Sequence, residues 1–470
     1  MSASTLVPPI PSTKLGVRLI AVATPAKLSS LNGLRVETSS LQVDTIFAQA
    51  TASGRAGVSI IRLSGPQAFD ITSKLCNVPP VGKPALRSVM DLDGGLIDRA
   101  LLLCFGEGAS FTGEKVVEFH VHGGLATVSK LLAELGKSNG CRMAKPGEFT
   151  RRALENGNLD LNQVEALSDL IDAETEMQRK QAMLVLDGQL SKKGKVWKEN
   201  LLRSAALLEA SIDFSDDEIP TNLHVEVRRL IEATEVSITS VLERSTIAFK
   251  IRDGFTVAII GKPNVGKSTL LNSIAGRDVA ITSHIAGTTR DVIEVRVDLD
   301  GLPVTFMDTA GLRDTDDDIE NLGISMAYKR SKTADIKVFL VSDEKEKLLI
   351  AKKPSDIIVL NKADTRKSSG FSVSGKTGEG VSHLLNQIGK KLSKETMVDV
   401  AAIRERQFEG LTAANECLKK TKTFLDQDPL PYELASQELY FASTQLDFVF
   451  GKIDIESVLD EIFSSFCLGK

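Results

Sequence analysis

The segment TVAIIGKPNVGKST, residues 256–269, decides how the middle of this chain folds. Its first five residues are apolar or β-branched, which predicts a buried strand. The loop that follows satisfies the pattern G-x-x-x-x-G-K-S/T, in which Gly261 and Gly266 let backbone N–H groups surround phosphates. Lys267 would bring a cation to the β- and γ-phosphates, and the hydroxyl of Ser268 suits Mg²⁺. The sequence therefore predicts a phosphate site between a strand and the N-terminus of a helix.

Three further segments make the predicted nucleotide site specific for guanine. Each follows an apolar run, and they are DTAGL at residues 308–312, NKAD at residues 361–364 and SGKTGEG at residues 374–380. Asp308 would lie beside Mg²⁺, and the amide of Gly311 would meet the γ-phosphate. The carboxylate of Asp364 can accept hydrogen bonds from N1–H and the exocyclic amine of guanine, whereas adenine offers an acceptor there. Ser374 and neighbouring amides would surround the base.

The stretch IAGTTRD, residues 285–291, lies between the phosphate loop and Asp308. Thr289 has the position of a switch residue, whose hydroxyl would bind Mg²⁺ and whose amide would bind the γ-phosphate. Many GTPases carry a glutamine just after the glycine of the second switch, but this chain has Leu312 there. Another residue must therefore orient the attacking water, and the acids of RDTDDDIE, residues 313–320, are close in sequence.

Length and composition limit the classes of protein to consider. At 470 residues, the chain is long enough for about three domains of roughly 100–200 residues each. The net charge of -5 gives no overall basic surface for nucleic acid, so a polyanion would need a local patch. No apolar run approaches the roughly 20 residues that span a bilayer, so we expect no membrane partner. The 5 scattered cysteines, which lack paired or metal-like spacing, indicate a reducing compartment.

The pattern of apolar residues changes along the chain. Short strand-like runs such as GVSIIRLSG, with one helical stretch, TVSKLLAELG, give way to helical spacing, then to continuous apolar strands, then to helices again. We predict a multidomain α/β and α+β chain whose Ras-like P-loop domain, with a mainly parallel sheet, is inserted into a helical domain. The predicted parts are an extension at residues 1–42, an α+β domain at 43–158, the first helical half at 159–250, the inserted domain at 251–380 and the second helical half at 381–470.

The first 42 residues are rich in Ser, Thr and Pro and contain basic residues against the single acid Glu37. That composition is compatible with an organellar transit peptide, but we favour an upstream extension without a role in the fold. A cytoplasmic location is therefore expected, with a mitochondrion or plastid as the alternative.

The chain ends in FCLGK, with Cys467 three residues before Lys470. A lipidation signal requires aliphatic residues and a different last residue, so Gly469 and Lys470 fit it badly. A lone cysteine is more often a small apolar residue than a reactive thiol, and spacing alone leaves its role open.

These motifs, with DTIFAQATASGRAGVSIIRLSG, FTGEKVVEFHVHGG, KPGEFTRRALENGNLDL and the terminal FCLGK, closely resemble the tRNA uridine-5-carboxymethylaminomethyl modification GTPases, of the TrmE-Era-like class. The resemblance extends from about residue 44 to residue 470. The N-terminal motifs and the tail are more specific than the nucleotide motifs, which many GTPases share.

The resemblance implies an N-terminal domain that binds tetrahydrofolate and forms a homodimer. It also implies a heterotetramer with a flavoprotein partner that carries FAD, and tRNA as the substrate. One carbon from a 5,10-methylene- or 5-formyl-tetrahydrofolate derivative would join glycine or ammonium to C5 of the wobble uridine, while GTP hydrolysis drives domain rearrangement.

Residues carried over from the resemblance fall into two groups. For hydrolysis, Glu320 matches the glutamate that orients water, and the K⁺ ligands would be Asn264, Ser283, Ile285 and Thr288. The Mg²⁺ ligands would be Ser268 and Thr289. The GTP-binding set as a whole is Asn264, Gly266, Lys267, Ser268, Thr269, Ser283, Thr288, Thr289, Asp308, Gly311, Asn361, Lys362, Asp364 and Ser374.

For folate, the matching positions are Arg62, Glu118, Asn158 and Lys470. Arg62 and Lys470 suit an acidic ligand, and Glu118 can accept from the amino and ring N–H groups of a pterin. Asn158 departs from the family, which usually has Lys or Arg there, so one charged contact is absent or replaced. Cys467 matches a cysteine that the family needs for modification, and we expect it to take part in the one-carbon chemistry or to shield it.

Two other functions share part of these features. A GTPase switch in ribosome assembly would have the same nucleotide motifs, but would leave the N-terminal domain and FCLGK unexplained. A folate-dependent one-carbon transferase acting on a non-tRNA substrate would explain those, with GTP as a regulator. Modification of tRNA is the reading that the resemblance favours.

Overall fold

The computed structural model describes residues 44–213, 223–281, 294–308, 333–343, 345–348, 350–364, 370–394 and 403–451, with residues 459, 462, 463, 466 and 469. Several predicted site residues lie outside these described residues. They are Ser283, Ile285, Thr288, Thr289, Gly311, Glu320, Cys467 and Lys470.

The N-terminal part contains a six-stranded sheet in the order β3-β4-β5-β2-β1-β6. Its strands are β1 Thr45–Gln49, β2 Ala56–Ser64, β3 Ala85–Met90, β4 Leu96–Phe105, β5 Val116–Gly123 and β6 Cys141–Met143. All neighbouring pairs are antiparallel except β1 and β6, which are parallel. Helices α1 Ala68–Leu75 and α2 Leu125–Gly136 add buried apolar residues to the core of this sheet. The predicted α+β character is confirmed, with α1 and α3 Glu148–Glu155 in addition to the single predicted helix.

Alternation along β2 places its side chains on opposite faces of the sheet. Ile61 and Leu63 are fully buried and belong to the core that α1 and α2 share, whereas Ile60 and Arg62 point to the other face. Arg62 pairs in register with Glu118 on β5. The register of these two strands therefore brings two predicted ligand-binding side chains together.

Four long helices form a bundle from two separate parts of the chain. They are α6 Gln189–Asp213 and α7 Leu223–Asp253, then α10 Glu405–Leu425 and α11 Tyr432–Val449. Their apolar stripes share one core, in which Trp197 is buried with residues such as Leu411 and Leu446. Since residues before and after the α/β part pack together, the predicted insertion of one domain into a helical domain is confirmed.

The inserted part has a second six-stranded sheet in the order β12-β11-β10-β7-β9-β8. Its strands are β7 Phe255–Ile260, β8 Glu294–Leu299, β9 Leu302–Asp308, β10 Ile336–Val341, β11 Ile357–Asn361 and β12 Ser372–Val373. All neighbouring pairs are parallel except β8 and β9, which are antiparallel. Helix α8 Lys267–Ala275 starts at the end of the phosphate loop. The expected mainly parallel sheet is present.

Two of the predicted boundaries need correction. Helix α7 continues to Asp253, so the inserted part starts at Gly254 and not at residue 251. Helix α9 Val381–Ser393 was expected in the helical domain, but its buried residues Leu384, Ile388 and Leu392 belong to the core of the α/β part. The boundary at residue 381 is therefore wrong, since the buried stripe of α9 packs on the sheet.

Helices α4 Leu161–Asp172 and α5 Glu176–Leu186 lie between the N-terminal part, the helical bundle and the inserted part. The amide of Met177, at the start of α5, donates to the carbonyl oxygen of Gly301 at 3.1 Å, in the turn between β8 and β9. Glu174 forms an ion pair with Arg296 at 2.9 Å. Across the described ranges, none of the helices has the length and apolar character that crossing a membrane requires.

Candidate functional site

The phosphate loop has the backbone conformation that its glycines and Asn264 predict. Gly266 has a φ of 103°, and a Cβ atom there would lie 2.3 Å from Nδ2 of Asn361. Asn264 has a φ of 60°, a value that asparagine tolerates better than most residues. These positive φ values turn the chain from β7 directly into α8, so that amides of the loop and of the helix N-terminus can face an anion.

Lys267 is 5% exposed and spans the phosphate loop. Its ammonium donates to the carbonyl oxygen of Gly261 at 2.9 Å and to that of Lys262 at 3.0 Å. Burial lowers the pKa of Lys267, and the nearby carboxylate of Asp308 partly opposes this effect. A phosphate group at this position would supply the negative charge that favours the ammonium form.

Ser268, in the first turn of α8, meets Asp308 at the carboxyl end of β9. The hydroxyl of Ser268 donates to Oδ2 of Asp308 at 2.9 Å. Asp308 is 2% exposed and ends β9. A hydroxyl beside a carboxylate is a set of oxygen donors that fits Mg²⁺, which usually takes few ligands from the protein and the rest from phosphates and water.

The predicted base-binding residues lie at the ends of β11 and β12. Asn361 donates from Nδ2 to the carbonyl oxygen of Val265, which ties the base side of the site to the phosphate loop. Lys362 has a φ of 65°, and the amide of Ala363 donates to the carbonyl oxygen of Val373 at 3.1 Å. Asp364 follows immediately and is exposed, so its carboxylate is accessible to a ligand.

Ser374 is 1% exposed and organises the loop at residues 374–380. Its amide donates to the carbonyl oxygen of Glu379 at 2.9 Å, and its hydroxyl accepts from the amide of Thr377 at 3.2 Å. Thr269 lies next to this loop, because Gly375 packs against the backbone of Thr269 and Leu270. The predicted nucleotide residues within the described part of the chain therefore form one site.

A second candidate site lies on the face of the N-terminal sheet that is opposite α1 and α2. Nε of Arg62 donates to Oε1 of Glu118 at 3.0 Å, and the two side chains are 20% and 15% exposed. The guanidinium lies 5.6 Å from the ring centroid of Phe111 and 5.7 Å from that of Phe149. Cation–π attraction to these rings adds to the hydrogen bond with Glu118 in holding the guanidinium. Phe111 and Phe149 were not identified as site residues from the sequence.

Asn158 makes hydrogen bonds to backbone groups beside this site. Its Nδ2 donates to the carbonyl oxygens of Ser110 at 2.9 Å and Phe111 at 3.2 Å. Asn156 donates in the same way to Thr112 at 2.6 Å. Asn158 therefore holds the loop that carries Phe111, a neutral role that the sequence did not indicate.

A partly buried ion pair also holds this loop. Arg152 is 7% exposed, and its Nη1 donates to both carboxylate oxygens of Glu114 at 3.1 and 3.0 Å. Ser64 donates to Oε2 of Glu114 at 2.6 Å. The sequence analysis did not identify Glu114 and Arg152 as site residues, although Glu114 lies in the motif FTGEK and Arg152 in the motif KPGEFTRR.

The C-terminal tail reaches the N-terminal domain. A Cβ atom on Gly469 would lie 2.2 Å from the carbonyl oxygen of Gln49 and 2.8 Å from Cα of Ala50, at the end of β1. Phe463 packs against Gly147 at the start of α3, and its ring centroid is 5.9 Å from that of Phe466. The tail motif is therefore anchored on the N-terminal domain, while Cys467 and Lys470 themselves lie outside the described residues.

The cysteines of the described ranges are free thiols. They are Cys76, Cys104, Cys141 and Cys417. Burial raises the pKa of Cys76, Cys141 and Cys417 to about 11. These thiols are therefore protonated at neutral pH and are poor nucleophiles.

Comparison with known proteins gives matches along almost the whole chain after residue 44. The family described as "GTP-binding protein TrmE N-terminus" matches residues 45–158, and the family described as "MnmE helical domain" matches residues 161–467. The tRNA modification GTPase MnmE of Roseobacter denitrificans is 50% identical over 429 residues, which are 91% of this chain and 100% of that protein. The protein of the same name from Ruegeria pomeroyi is 49% identical over 430 residues, with the same coverage.

Among solved structures, a variant of Aquifex aeolicus Era bound to GDP.AlF4- is similar over 34% of this chain and 66% of that chain. The identity is 23% and the TM-score is 0.24, which is too low for a structural inference. The curated relatives, in contrast, match over their full length. From this identity and from the two matching family descriptions, this chain belongs to the MnmE family of tRNA modification GTPases.

Proposed function

We propose that this GTPase takes part in adding a carboxymethylaminomethyl or aminomethyl group to C5 of the wobble uridine in certain tRNAs. As a member of its family, the chain is a GTP-hydrolysing enzyme of tRNA modification. The observation that carries the finer assignment is the Arg62–Glu118 pair on the N-terminal sheet, against whose first strand the tail packs, in the same chain as a nucleotide site. A GTPase switch alone would need neither feature.

GTP binding follows from the geometry of the phosphate loop. Lys267 would exchange its two carbonyl acceptors for the β- and γ-phosphates, which restores a full counter-charge to a buried ammonium. Ser268 and Asp308 would share Mg²⁺, Ser268 as a direct ligand. Asp364 would accept from the guanine edge, and Thr289 would close the site from the first switch.

Hydrolysis would depend on Glu320 and on K⁺. The exposed backbone turn at Asn264 is compatible with a ligand for a monovalent cation beside the phosphates. Ser283, Ile285 and Thr288 would complete that site when two GTPase domains meet. A cation there would stabilise the negative charge of the transition state.

The hairpin of β8 and β9 offers a route from nucleotide state to the rest of the molecule. Its open end carries both switches, because β8 follows the first switch and β9 ends at Asp308. Its turn contacts α5 through the bond from Met177 to Gly301 and the pair of Glu174 with Arg296. Rearrangement of the switches would therefore shift the hairpin and alter its contacts with the start of α5.

The N-terminal site fits a tetrahydrofolate derivative. Arg62 is pre-oriented by two aromatic rings, and Glu118 presents a carboxylate that can accept from a pterin. Lys470 would add a positive charge from the tail. Asn158, whose amide is used on backbone carbonyls, adds no charge and would support the loop of Phe111. The folate derivative would supply the one-carbon unit, and Cys467 would assist or shield that chemistry.

The proposed assembly is a homodimer bound to a flavoprotein partner that carries FAD, with tRNA as the substrate of the heterotetramer. We place this assembly in the cytoplasm, with a mitochondrion or plastid as the alternative if residues 1–42 are a transit peptide.

Mass spectrometry of nucleosides from total tRNA tests the assignment. Cells lacking this protein would be complemented with the wild type, with Cys467→Ser or with Glu320→Ala. We expect 5-substituted wobble uridines to disappear and to return only with the wild type. If the wobble uridines are the same in cells with and without this protein, the assignment as a GTPase stands but tRNA is not the substrate. Full restoration by Cys467→Ser would remove the proposed role of the thiol.

A further inference from the structure

The loop at residues 374–380, which carries Ser374, lies directly along α8. A Cβ atom on Gly375 would be 2.7 Å from the amide nitrogen of Leu270 and 2.8 Å from the carbonyl carbon of Thr269. Only glycine permits this approach, because real Cβ atoms do not come so close to backbone atoms. We call residues 374–380 the guanine loop, because Ser374 is predicted to lie beside the base. This loop therefore touches the first turn of the helix that begins with Lys267.

Arg277 attaches the other end of this loop to α8. It follows the helix C-cap at Gly276, and its guanidinium forms two hydrogen bonds. Nη2 donates to the carbonyl oxygen of Gly378 at 3.0 Å, and Nη1 donates to the hydroxyl of Ser382 at 2.6 Å. The planar guanidinium can satisfy two fixed acceptors at once, which restricts the position of both.

Gly378, which accepts from Arg277, is itself hydrogen-bonded to Ser374. Gly378 has a φ of 78°, and its amide donates to the carbonyl oxygen of Ser374 at 2.9 Å. Gly380, at a φ of 73°, then starts α9 so close to Ser372 that a Cβ atom would lie 2.2 Å from its carbonyl oxygen. The loop has no helix or strand of its own, so its shape depends on these few contacts.

We propose that Arg277 is a positioning residue for guanine recognition. It belongs to none of the motifs that bind the nucleotide, but it fixes the guanine loop to the helix that carries Lys267 and Ser268. One rigid helix thus sets the distance between the base contacts and the phosphate contacts. A loop held in its bound shape before the nucleotide arrives loses less conformational freedom on binding, which strengthens affinity. This inference rests on the GTP site alone and not on the proposed tRNA chemistry.

Calorimetric titration of the full-length chain with GDP and, separately, with pyrophosphate tests the proposal. In Arg277→Ala we expect GDP affinity to fall about tenfold, the size of effect that loss of a charge-assisted hydrogen bond produces. Pyrophosphate affinity should stay within about twofold, because that ligand uses only the phosphate loop. In steady-state GTP hydrolysis, KM should rise while kcat at saturation is unchanged.

Three further variants control for a merely structural role. Asp278→Ala changes the exposed neighbour of Arg277 and should bind both ligands like the wild type. Ser382→Ala removes one acceptor and should weaken GDP less than Arg277→Ala does. Arg277→Lys keeps the positive charge and can donate to one of the two acceptors, so its GDP affinity should lie between those of Arg277→Ala and the wild type.

Equal loss of GDP and pyrophosphate affinity in Arg277→Ala would overturn the proposal, since it would indicate general damage to the domain. Unchanged GDP affinity would overturn it as well. If Arg277→Ala does not fold, Arg277→Lys and Ser382→Ala carry the same test, and normal GDP binding in both would contradict the proposed role.

Discussion

Asp364 is the residue on which the proposed choice of guanine depends. Its carboxylate is exposed at the end of β11, where it can accept from N1–H and from the amine of guanine. In Asp364→Asn, the amide would oppose the amine of guanine but could donate to the 2-carbonyl of xanthine. We expect kcat/KM for GTP to fall by about 100-fold or more, and hydrolysis of XTP to appear. The gain of XTP activity distinguishes altered recognition from misfolding, and a variant that loses both substrates would contradict this account.

Glu118 is the residue on which the proposed recognition of a pterin at the N-terminal site depends. Glu118→Gln keeps the shape of the side chain but removes the negative charge that pairs with Arg62 at 3.0 Å. We expect the affinity for 5-formyl-tetrahydrofolate, measured by calorimetry, to fall about tenfold. Glu107→Gln, at an exposed carboxylate of the same domain, is the matched control. Wild-type binding by Glu118→Gln would place the pterin elsewhere.

At this scale, the sequence predicts residues whose chemistry is fixed by a local motif. Lys267, Ser268 and Asp308 could be assigned because each follows a strand at a spacing that phosphate and Mg²⁺ require. Phe111 and Phe149 could not, because an aromatic residue in a strand-rich domain is expected in the core. Their contact with Arg62 depends on how three separate segments approach one another.

At the scale of elements, α9 shows what an amphipathic pattern leaves undetermined. Its apolar stripe correctly predicts a helix with one buried face, but burial is favourable against any apolar surface. The stripe therefore does not indicate whether α9 packs on the helical bundle or on the sheet of the α/β part. The strands of that sheet could be predicted more fully, because continuous apolar runs between turn residues have few other solutions.

Glu165 on α4 gives a prediction about the contact of α4 with α10. It is 4% exposed, and it accepts from Nε2 of Gln407 at 2.7 Å and from Nη2 of Arg406 at 3.3 Å. Burial raises the pKa of Glu165 above 4.5, and the charges of Arg406 and Arg404 only partly oppose this effect. The folded state thus binds the proton more tightly than the unfolded state. Stability from this group is present below pH 4.5 and is lost as pH rises through the folded pKa.

Denaturant unfolding followed by Trp197 fluorescence measures this dependence. Trp197 is the only tryptophan of the sequence and is 2% exposed in the helical bundle, where its Nε1 donates to Ser237 at 2.9 Å. In Glu165→Gln, the free energy of unfolding should lose the pH dependence that Glu165 contributes above pH 4.5, whereas the contribution of Asp169, whose pKa burial also raises, should remain. Glu405→Gln, an exposed position on α10, should keep the wild-type profile. Identical pH profiles for all three proteins would show that Glu165 does not titrate differently on folding.

At the scale of the whole molecule, the two ends of the described chain meet. Gly469 packs on Gln49 and Ala50, Phe463 packs on Gly147, and helices from before and after the inserted domain share one core. The sequence predicts the insertion, because helical periodicity stops and then resumes. The five residues of the tail motif do not by themselves specify which surface receives the tail, because its contacts are with residues distant in sequence. The resemblance does indicate the N-terminal domain, since it groups Lys470 with Arg62 and Glu118 in one site.

The docking of Gly469 gives the last prediction. Its φ of 93° and the 2.2 Å that would separate a Cβ atom from the carbonyl oxygen of Gln49 leave no room for alanine. Gly469→Ala should therefore move the tail away from the end of β1, together with the neighbouring Cys467 and Lys470. We expect tRNA modification, measured by nucleoside mass spectrometry, to fall at least tenfold, and folate binding to weaken by about tenfold. GTP hydrolysis should remain within about twofold of the wild type, because the nucleotide site lies in another core of the molecule. Gly124→Ala is the matched control, since the nearest neighbour of its Cβ atom would be Oγ1 of Thr127 at 3.7 Å. If Gly469→Ala modifies tRNA and binds folate like this control, the packed tail is a structural feature and the chemistry does not depend on its position.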